Sequence, residues 1–209
     1  MFEVLCYGDS NTWGADPVTG GRFSKEERWP GILQKALGSG YHVIEEGLGG
    51  RTTVWEDPIE GRHKNGAAYL VPCLETHSPL DMVIIMRGTN DLKKRFSVSA
   101  QDVAFGAGVL VDIVNKSGCG RNGKAPKVML LIPPPLGKLT SLSEMFEEGY
   151  EKSRKFSEYF KVVAKERGCE VFDTSTVMKS SDIDGIHLEK EAHKALGEAV
   201  AKIVKNILR

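Results

Sequence analysis

Four short polar segments hold the residue types that acyl transfer requires. Gly8-Asp9-Ser10-Asn11-Thr12 offers a hydroxyl nucleophile, and Asp184-Gly185-Ile186-His187 offers a carboxylate three residues ahead of an imidazole. Gly47-Leu48-Gly49-Gly50-Arg51-Thr52 and Gly88-Thr89-Asn90-Asp91 offer amide donors. A serine hydroxyl is a poor nucleophile at its own pKa and needs a base within hydrogen-bond reach, so Ser10 requires a partner such as His187. Asp184 can lie on the same side of a turn as His187, where it would hold one imidazole tautomer and favour the imidazolium that forms. The oxyanion of a tetrahedral intermediate needs donors fixed in advance. The candidates are the backbone N–H of Ser10, the backbone N–H of Gly50 and the side-chain amide of Asn90.

Singly, each segment has an ordinary explanation. Gly-Asp-Ser after a strand is a common turn, Asn90 with Asp91 reads as turn or capping chemistry, and Asp-x-x-His ahead of a helix reads as a cap beside a surface histidine. The weight lies in the combination, because the elements between these segments place all four at one end of one sheet.

Five apolar runs rich in β-branched residues read as strands: Phe2 to Tyr7, Tyr41 to Glu45, Met82 to Met86, Lys127 to Ile132 and Cys169 to Asp173. The third and fourth lack polar alternation, as expected of central strands covered on both faces. Helical periodicity follows in Val103, Ala107, Leu110, Val111 and Val114, and again in Phe156, Tyr159, Phe160 and Val163. Ala192, Ala195, Leu196, Ala199, Ile203 and Ile207 fit a C-terminal helix docked on the sheet. Ser141 with Glu144 reads as a capping box, Gly168 as a helix stop, Leu136 to Ser143 as a surface loop, and Gly118 to Gly123 as a flexible connection. Alternating strands and helices predict a three-layer α/β/α sandwich around a flavodoxin-like five-stranded parallel sheet, in a single domain spanning 1–209. Ligands of such sheets bind beyond the carboxyl ends of the strands, where the four segments fall.

Composition narrows the partners. Lys plus Arg equals Asp plus Glu at 28 each, so no net field attracts nucleic acid or an anionic membrane, and the run Lys93-Lys94-Arg95 reads as a solvated loop face. No apolar stretch approaches the roughly 20 residues that cross a bilayer. Phe2 to Tyr7 is too short for a signal-peptide core, which predicts a cytoplasmic protein. Cys6, Cys73, Cys119 and Cys169 form no CxxC pair, and His42, His63, His77 and His193 show no metal-ligand spacing, so neither a metal nor another cofactor is expected. Cys6 reads as inert core.

Gly8-Asp9-Ser10, Gly50, Gly88-x-Asn90-Asp91 and Asp184-x-x-His187 resemble, in order, the four consensus blocks of the SGNH (GDSL-like) hydrolases, over nearly the whole chain from residue 6. The resemblance implies a serine esterase with Ser10 as nucleophile, Asp184 and His187 completing the triad, and Ser10, Gly50 and Asn90 as the oxyanion hole. Gly8 to Gly14, Arg51-Thr52-Thr53, Ile85 to Asp91 and Pro133-Pro134-Pro135 are similar to the bacterial arylesterase and acyltransferase branch. That likeness implies short-chain aryl or acetyl esters as substrates, acyl transfer or perhydrolysis beside hydrolysis, and a homo-oligomer, an octamer included, that narrows the active-site entrance. Glu46 departs from the family, many of whose members have asparagine before the glycine of the second block, and this puts the local turn hydrogen bonding in question.

Trp13 can wall the acyl pocket or belong to the core, and Trp29 and Trp55 read as packing residues or interface anchors. The same triad would also serve a carbohydrate acetylesterase or a thioesterase. An ordinary α/β-hydrolase requires a GxSxG elbow, which Ser10-Asn11-Thr12 does not supply. A non-catalytic flavodoxin-like binding module is the alternative of another class, but neither GxGxxG nor a P-loop follows a strand, and Asp9 would repel a phosphate.

Overall fold

The central strands carry apolar side chains on both faces and need cover on both sides. The computed structural model, which describes residues 1–209, provides it. β1 (Phe2–Gly8), β2 (Tyr41–Gly47), β3 (Met82–Met86), β4 (Lys127–Ile132) and β5 (Glu170–Asp173) form one parallel sheet in the order β2-β1-β3-β4-β5. This is the expected flavodoxin-like order. β1 and β2 run to Gly8 and Gly47, past their expected ends, because the pairing of Tyr7 with Glu46 and of Gly8 with Gly47 continues the ladder.

The helices are α1 (Ser10–Trp13), α2 (Trp29–Leu37), α3 (Gly66–His77), α4 (Ala100–Lys116), α5 (Gly149–Ser153), α6 (Phe156–Arg167) and α7 (Lys190–Ile207). Side chains alternate across the sheet with period two. Val4, Cys6, Ile84 and Met129 pack with Trp29 and Leu33 of α2 and Leu196, Val200 and Val204 of α7. Leu5, Tyr7, Ile85 and Leu130 face the other way, onto Leu70 of α3, Val103 and Leu110 of α4 and Phe160 of α6. The expected stripes of α4 and α6 are buried, apart from a half-buried Tyr159. Gly168 ends α6 in the left-handed conformation, as anticipated.

Three local expectations are corrected. The capping box belongs to Ser99 and Asp102, at the start of α4, whereas Ser141 and Glu144 lie in a run of turns ahead of α5 and cap no helix. Leu136 is not part of a surface loop: its side chain is in the core, and its N–H donates to Ser153 Oγ at 2.9 Å. α7 docks on the sheet, but its most buried face runs through His193, Leu196, Gly197, Val200, Ala201 and Val204. The rotation has a steric origin, since a Cβ on Gly197 would lie 2.8 Å from Ile32 and from the Trp29 carbonyl, so the closest approach to α2 is centred there. Buried His193 then accepts the N–H of Trp29 at its Nδ1, at 3.3 Å.

Candidate active site

The order of the sheet reverses at β1: β2 lies on one side of it and β3 on the other. The loops leaving these strands diverge and open a crevice. Ser10 follows β1 directly as the first residue of α1, and buried Asp9 caps that short helix by accepting the N–H of Asn11 at 3.0 Å. The loop after β2 is tied alongside by the Leu48 N–H donating to the Gly8 carbonyl at 3.1 Å. Asn90 opens a single 3₁₀ turn after β3.

His187 reaches this crevice from the far end of the chain, just before α7. The Ser181 N–H donates to the His187 carbonyl and the Gly137 N–H to the Gly185 carbonyl, both at 2.7 Å, while Asn11 Nδ2 donates to the Ile186 carbonyl at 3.3 Å. Held in this way, His187 Nε2 lies 3.0 Å from Ser10 Oγ, and its Nδ1 lies 2.6 Å from Asp184 Oδ2. The other oxygen of Asp184 accepts the N–H groups of Ile186 and His187, at 2.8 and 2.9 Å. Burial raises the Asp184 pKa, but the His187 contact and the two amides outweigh it and hold the carboxyl below the usual range. A carboxylate in this state keeps the proton on Nδ1, which leaves the Nε2 lone pair directed at Ser10. The imidazole side chain is 22 % exposed and the carboxylate 15 %, so the imidazole is open to solvent and the carboxylate is the more shielded of the two.

Neither the Ser10 nor the Gly50 N–H is taken by another protein group. Gly50 has φ +75°, a left-handed conformation that favours glycine, and a Cβ there would push aside the Glu60 carboxylate. Asn90 is buried, and its Nδ2 donates to the Arg51 carbonyl at 3.3 Å, which sets the amide beside the Gly50–Arg51 segment.

Beneath these donors lies a charged platform that sequence reasoning did not foresee. Arg87 is fully buried, 4.4 Å from the Tyr7 ring, and donates to the Arg51 carbonyl at 3.3 Å. Arg51 lies 4.7 Å from the centre of the same ring and donates to the Glu46 carbonyl at 2.9 Å. Buried Asp91 accepts both the N–H and the hydroxyl of Thr53, locking the third block to the second. Burial lifts the Asp91 carboxyl to about 7, against the pull of Thr53 and Arg87, and lowers the Arg87 guanidinium to about 10. Asp9 is also raised by burial, with Arg87 opposing. The sequence signal was only the unusual appearance of Arg and Asp directly after a buried strand.

The basic run is likewise not a solvated face. Lys93 is 3 % exposed and pairs with Glu60 and, at 3.4 Å, with fully buried Asp57, which Arg95 meets at 3.0 Å. These pairs fasten the segment around Glu60, against which Gly50 sits, to the turn that carries Asn90. Lys94 alone points outward, to Glu147 and Glu148.

Trp13 is half-buried at the end of α1 with Arg22 5.0 Å over its ring, Trp29 is core, and Trp55 packs against the core edge. Cys6 is fully buried and its thiol is pushed well up by burial, which makes it inert. His42 pairs with Glu3. His77 Nε2 lies 2.9 Å from Glu46, the residue that departs from the family pattern, and so the departing side chain is engaged by a helix and not by the turn.

The sequence profile of the GDSL-like lipase/acylhydrolase family matches residues 6–195. A carbohydrate acetylesterase from Sinorhizobium meliloti superposes with a TM-score of 0.95 at 41% identity, each chain covered over 100% of its length. The aryl esterase of M. smegmatis superposes equally well, with a TM-score of 0.95 at 40% identity and 100% coverage of both chains. A G-D-S-L lipolytic protein from Veillonella parvula, 15% identical with a TM-score of 0.70 over 98% of this chain and 99% of that one, shares the fold. No curated protein matches the sequence. The fold is that of the SGNH hydrolases, an α/β/α sandwich around a five-stranded parallel sheet. The chain belongs to the GDSL-like lipase/acylhydrolase family and is a carboxylic ester hydrolase.

Proposed function

We propose that Ser10 is the nucleophile, His187 the general base and acid, and Asp184 the residue that orients it, in the hydrolysis of short-chain aryl or acetyl esters. The observation that carries this reading is the continuous line from Ser10 Oγ to His187 Nε2 at 3.0 Å and from His187 Nδ1 to Asp184 Oδ2 at 2.6 Å. Ser10 Oγ attacks the ester carbonyl as its proton passes to Nε2. The oxyanion is met by the N–H groups of Ser10 and Gly50 and by Asn90 Nδ2. His187 then protonates the departing alcohol, and a water activated by the same imidazole releases the acid and restores Ser10. An alcohol or peroxide in place of that water gives acyl transfer by the same steps. Trp13 is assigned to the wall beside the nucleophile.

The likeness to a carbohydrate acetylesterase and to an aryl esterase supports small acyl groups on either alcohol type. Residues 1–209 act as one domain, and the four free thiols are in keeping with a reducing, cytoplasmic setting. No helix is long and apolar enough to cross a membrane. Tyr69 and Val71 on α3 and Phe105 and Val109 on α4 are exposed apolar side chains suited to contact with further copies of the chain. The test is to label the protein with an alkyl phosphonate and map the adduct, while assaying p-nitrophenyl esters from acetate to octanoate beside acetylated sugars. An adduct away from Ser10, or equal rates along the acyl series, would overturn the assignment.

A further inference from the structure

A second constellation of an acid, a histidine and a potential nucleophile lies outside the crevice. Cys73 and His77 are four residues apart on α3, a spacing that places both side chains on one face of the helix, and Glu46 of β2 faces them. The Cys73 Sγ, a ring nitrogen of His77 and a carboxylate oxygen of Glu46 all lie within 4.8 Å of one another. Unlike the catalytic residues they form a triangle, the arrangement that a central ion requires. Tetrahedral zinc, with bonds of about 2.0 Å to nitrogen and oxygen and about 2.3 Å to sulfur, asks for donors roughly 3.3–3.6 Å apart, so the His77–Glu46 pair, 2.9 Å apart, must open slightly while the thiol, within 4.8 Å of both, closes on them, adjustments that side-chain rotation can supply.

We propose that Glu46, Cys73 and His77 form a Zn²⁺ site with three protein ligands and a water in the fourth position. Thiolate, imidazole and carboxylate are the donors that suit this borderline-soft ion, and the two anionic ligands balance its charge. Cys73 is buried, and burial together with the charge of Glu46 pushes its thiol up to about 12. Binding exchanges ions without redox change: Zn²⁺ enters, the Cys73 thiol gives up its proton to solvent, and the imidazole of His77 binds through its lone pair. Arg51 and Arg87 face the thiol from the loops after β2 and β3 and favour the thiolate, whereas Glu46 opposes it. His77 and Glu46 side chains are 26 % and 20 % exposed, which gives an ion a path from solvent.

The site ties the end of β2 to α3 one residue before Gly47, where the loop that carries Gly50 begins. Zn²⁺ should therefore raise the melting temperature without taking part in ester hydrolysis.

The metal-free enzyme is titrated with Co²⁺ and then with Zn²⁺. One Co²⁺ per chain is expected, with tetrahedral visible bands and a near-ultraviolet thiolate charge-transfer band that Zn²⁺ abolishes. Cys73→Ser should lose the charge-transfer band, His77→Gln should weaken Zn²⁺ at least tenfold, and both should keep the esterase activity. His77 lies at the partly exposed end of α3, so its variant tests the site even if Cys73→Ser folds poorly. No binding at micromolar Zn²⁺ would overturn the proposal. A thiolate band that survives Cys73→Ser, or stoichiometric loss of esterase activity with metal indifferent to His77→Gln, would overturn it equally.

Discussion

The molecule contains two acid–histidine–nucleophile sets, Asp184–His187–Ser10 and Glu46–His77–Cys73, and they differ in shape. In the first, the carboxylate holds Nδ1 and the hydroxyl meets Nε2, so the imidazole stands between its partners and can pass a proton from one side to the other. In the second, Glu46 occupies Nε2 itself, and the thiol lies to the side, buried and neutral. The first set is assembled across 177 residues at the mouths of the strands, and the second sits on one helix face and the strand it covers. The same three functional classes therefore give a proton relay in a line and a chelate in a triangle. Residue type alone does not decide between them.

The two sets should differ most at Ser10. Ser10→Ala should cut kcat by roughly 10⁴-fold to 10⁶-fold, whereas Cys73→Ser should leave it within about twofold, as expected when only the first set performs chemistry. Purified variants assayed on p-nitrophenyl acetate decide this, and comparable losses in both would mean that the triangle also serves the reaction. Asn90→Ala should lower kcat by roughly 10²-fold to 10³-fold with KM little changed, since its amide meets a charge that exists only in the tetrahedral state. Asn90→Asp should be at least as damaging. If Asn90 were only a turn residue, both variants would lose melting temperature and their folded fraction would keep its kcat.

The smallest effect concerns pH. His193 is held neutral by burial, at about 4 against an ordinary 6.5, so the unfolded chain binds more protons and stability from this group is lost as pH falls from about 6.5 to about 4. Asp91, at about 7 against an ordinary 3.8, binds a proton in the fold that the unfolded chain has released. Its contribution is therefore complete below about pH 4 and is lost as pH rises to about 7. Over this window the two slopes oppose each other. Asp91→Asn should make the melting temperature climb more steeply with pH than in the parent, whatever the variant's absolute stability. Parallel profiles would show that Asp91 is ionised throughout.

The strands and the four polar blocks were legible because each is a local pattern: a β-branched run, or a few residues placed directly after one. The reading failed where the partner comes from elsewhere. Lys93 looks like any lysine in a basic run until Asp57 and Glu60 meet it from another loop. The buried face of α7 was displaced by Gly197, whose missing side chain carries no hydropathy signal but sets the approach to α2. Cys73 and His77 do carry a local signal, a spacing of four on a helix. It lacks meaning without Glu46, which lies 31 residues before His77 in sequence and is brought opposite by the sheet.

The separation of Ser10 from His187 has a consequence for biosynthesis. At a synthesis rate of 5–20 residues per second, Ser10 is joined to the growing polypeptide roughly 9–35 s before His187, 177 residues later. β1 lies between β2 and β3, so it cannot be paired on both sides before residue 86 has been made. During that interval the nascent polypeptide holds Ser10 without His187, the base proposed for it. On the proposed triad, a polypeptide interrupted before residue 187 is a stalled product without esterase activity.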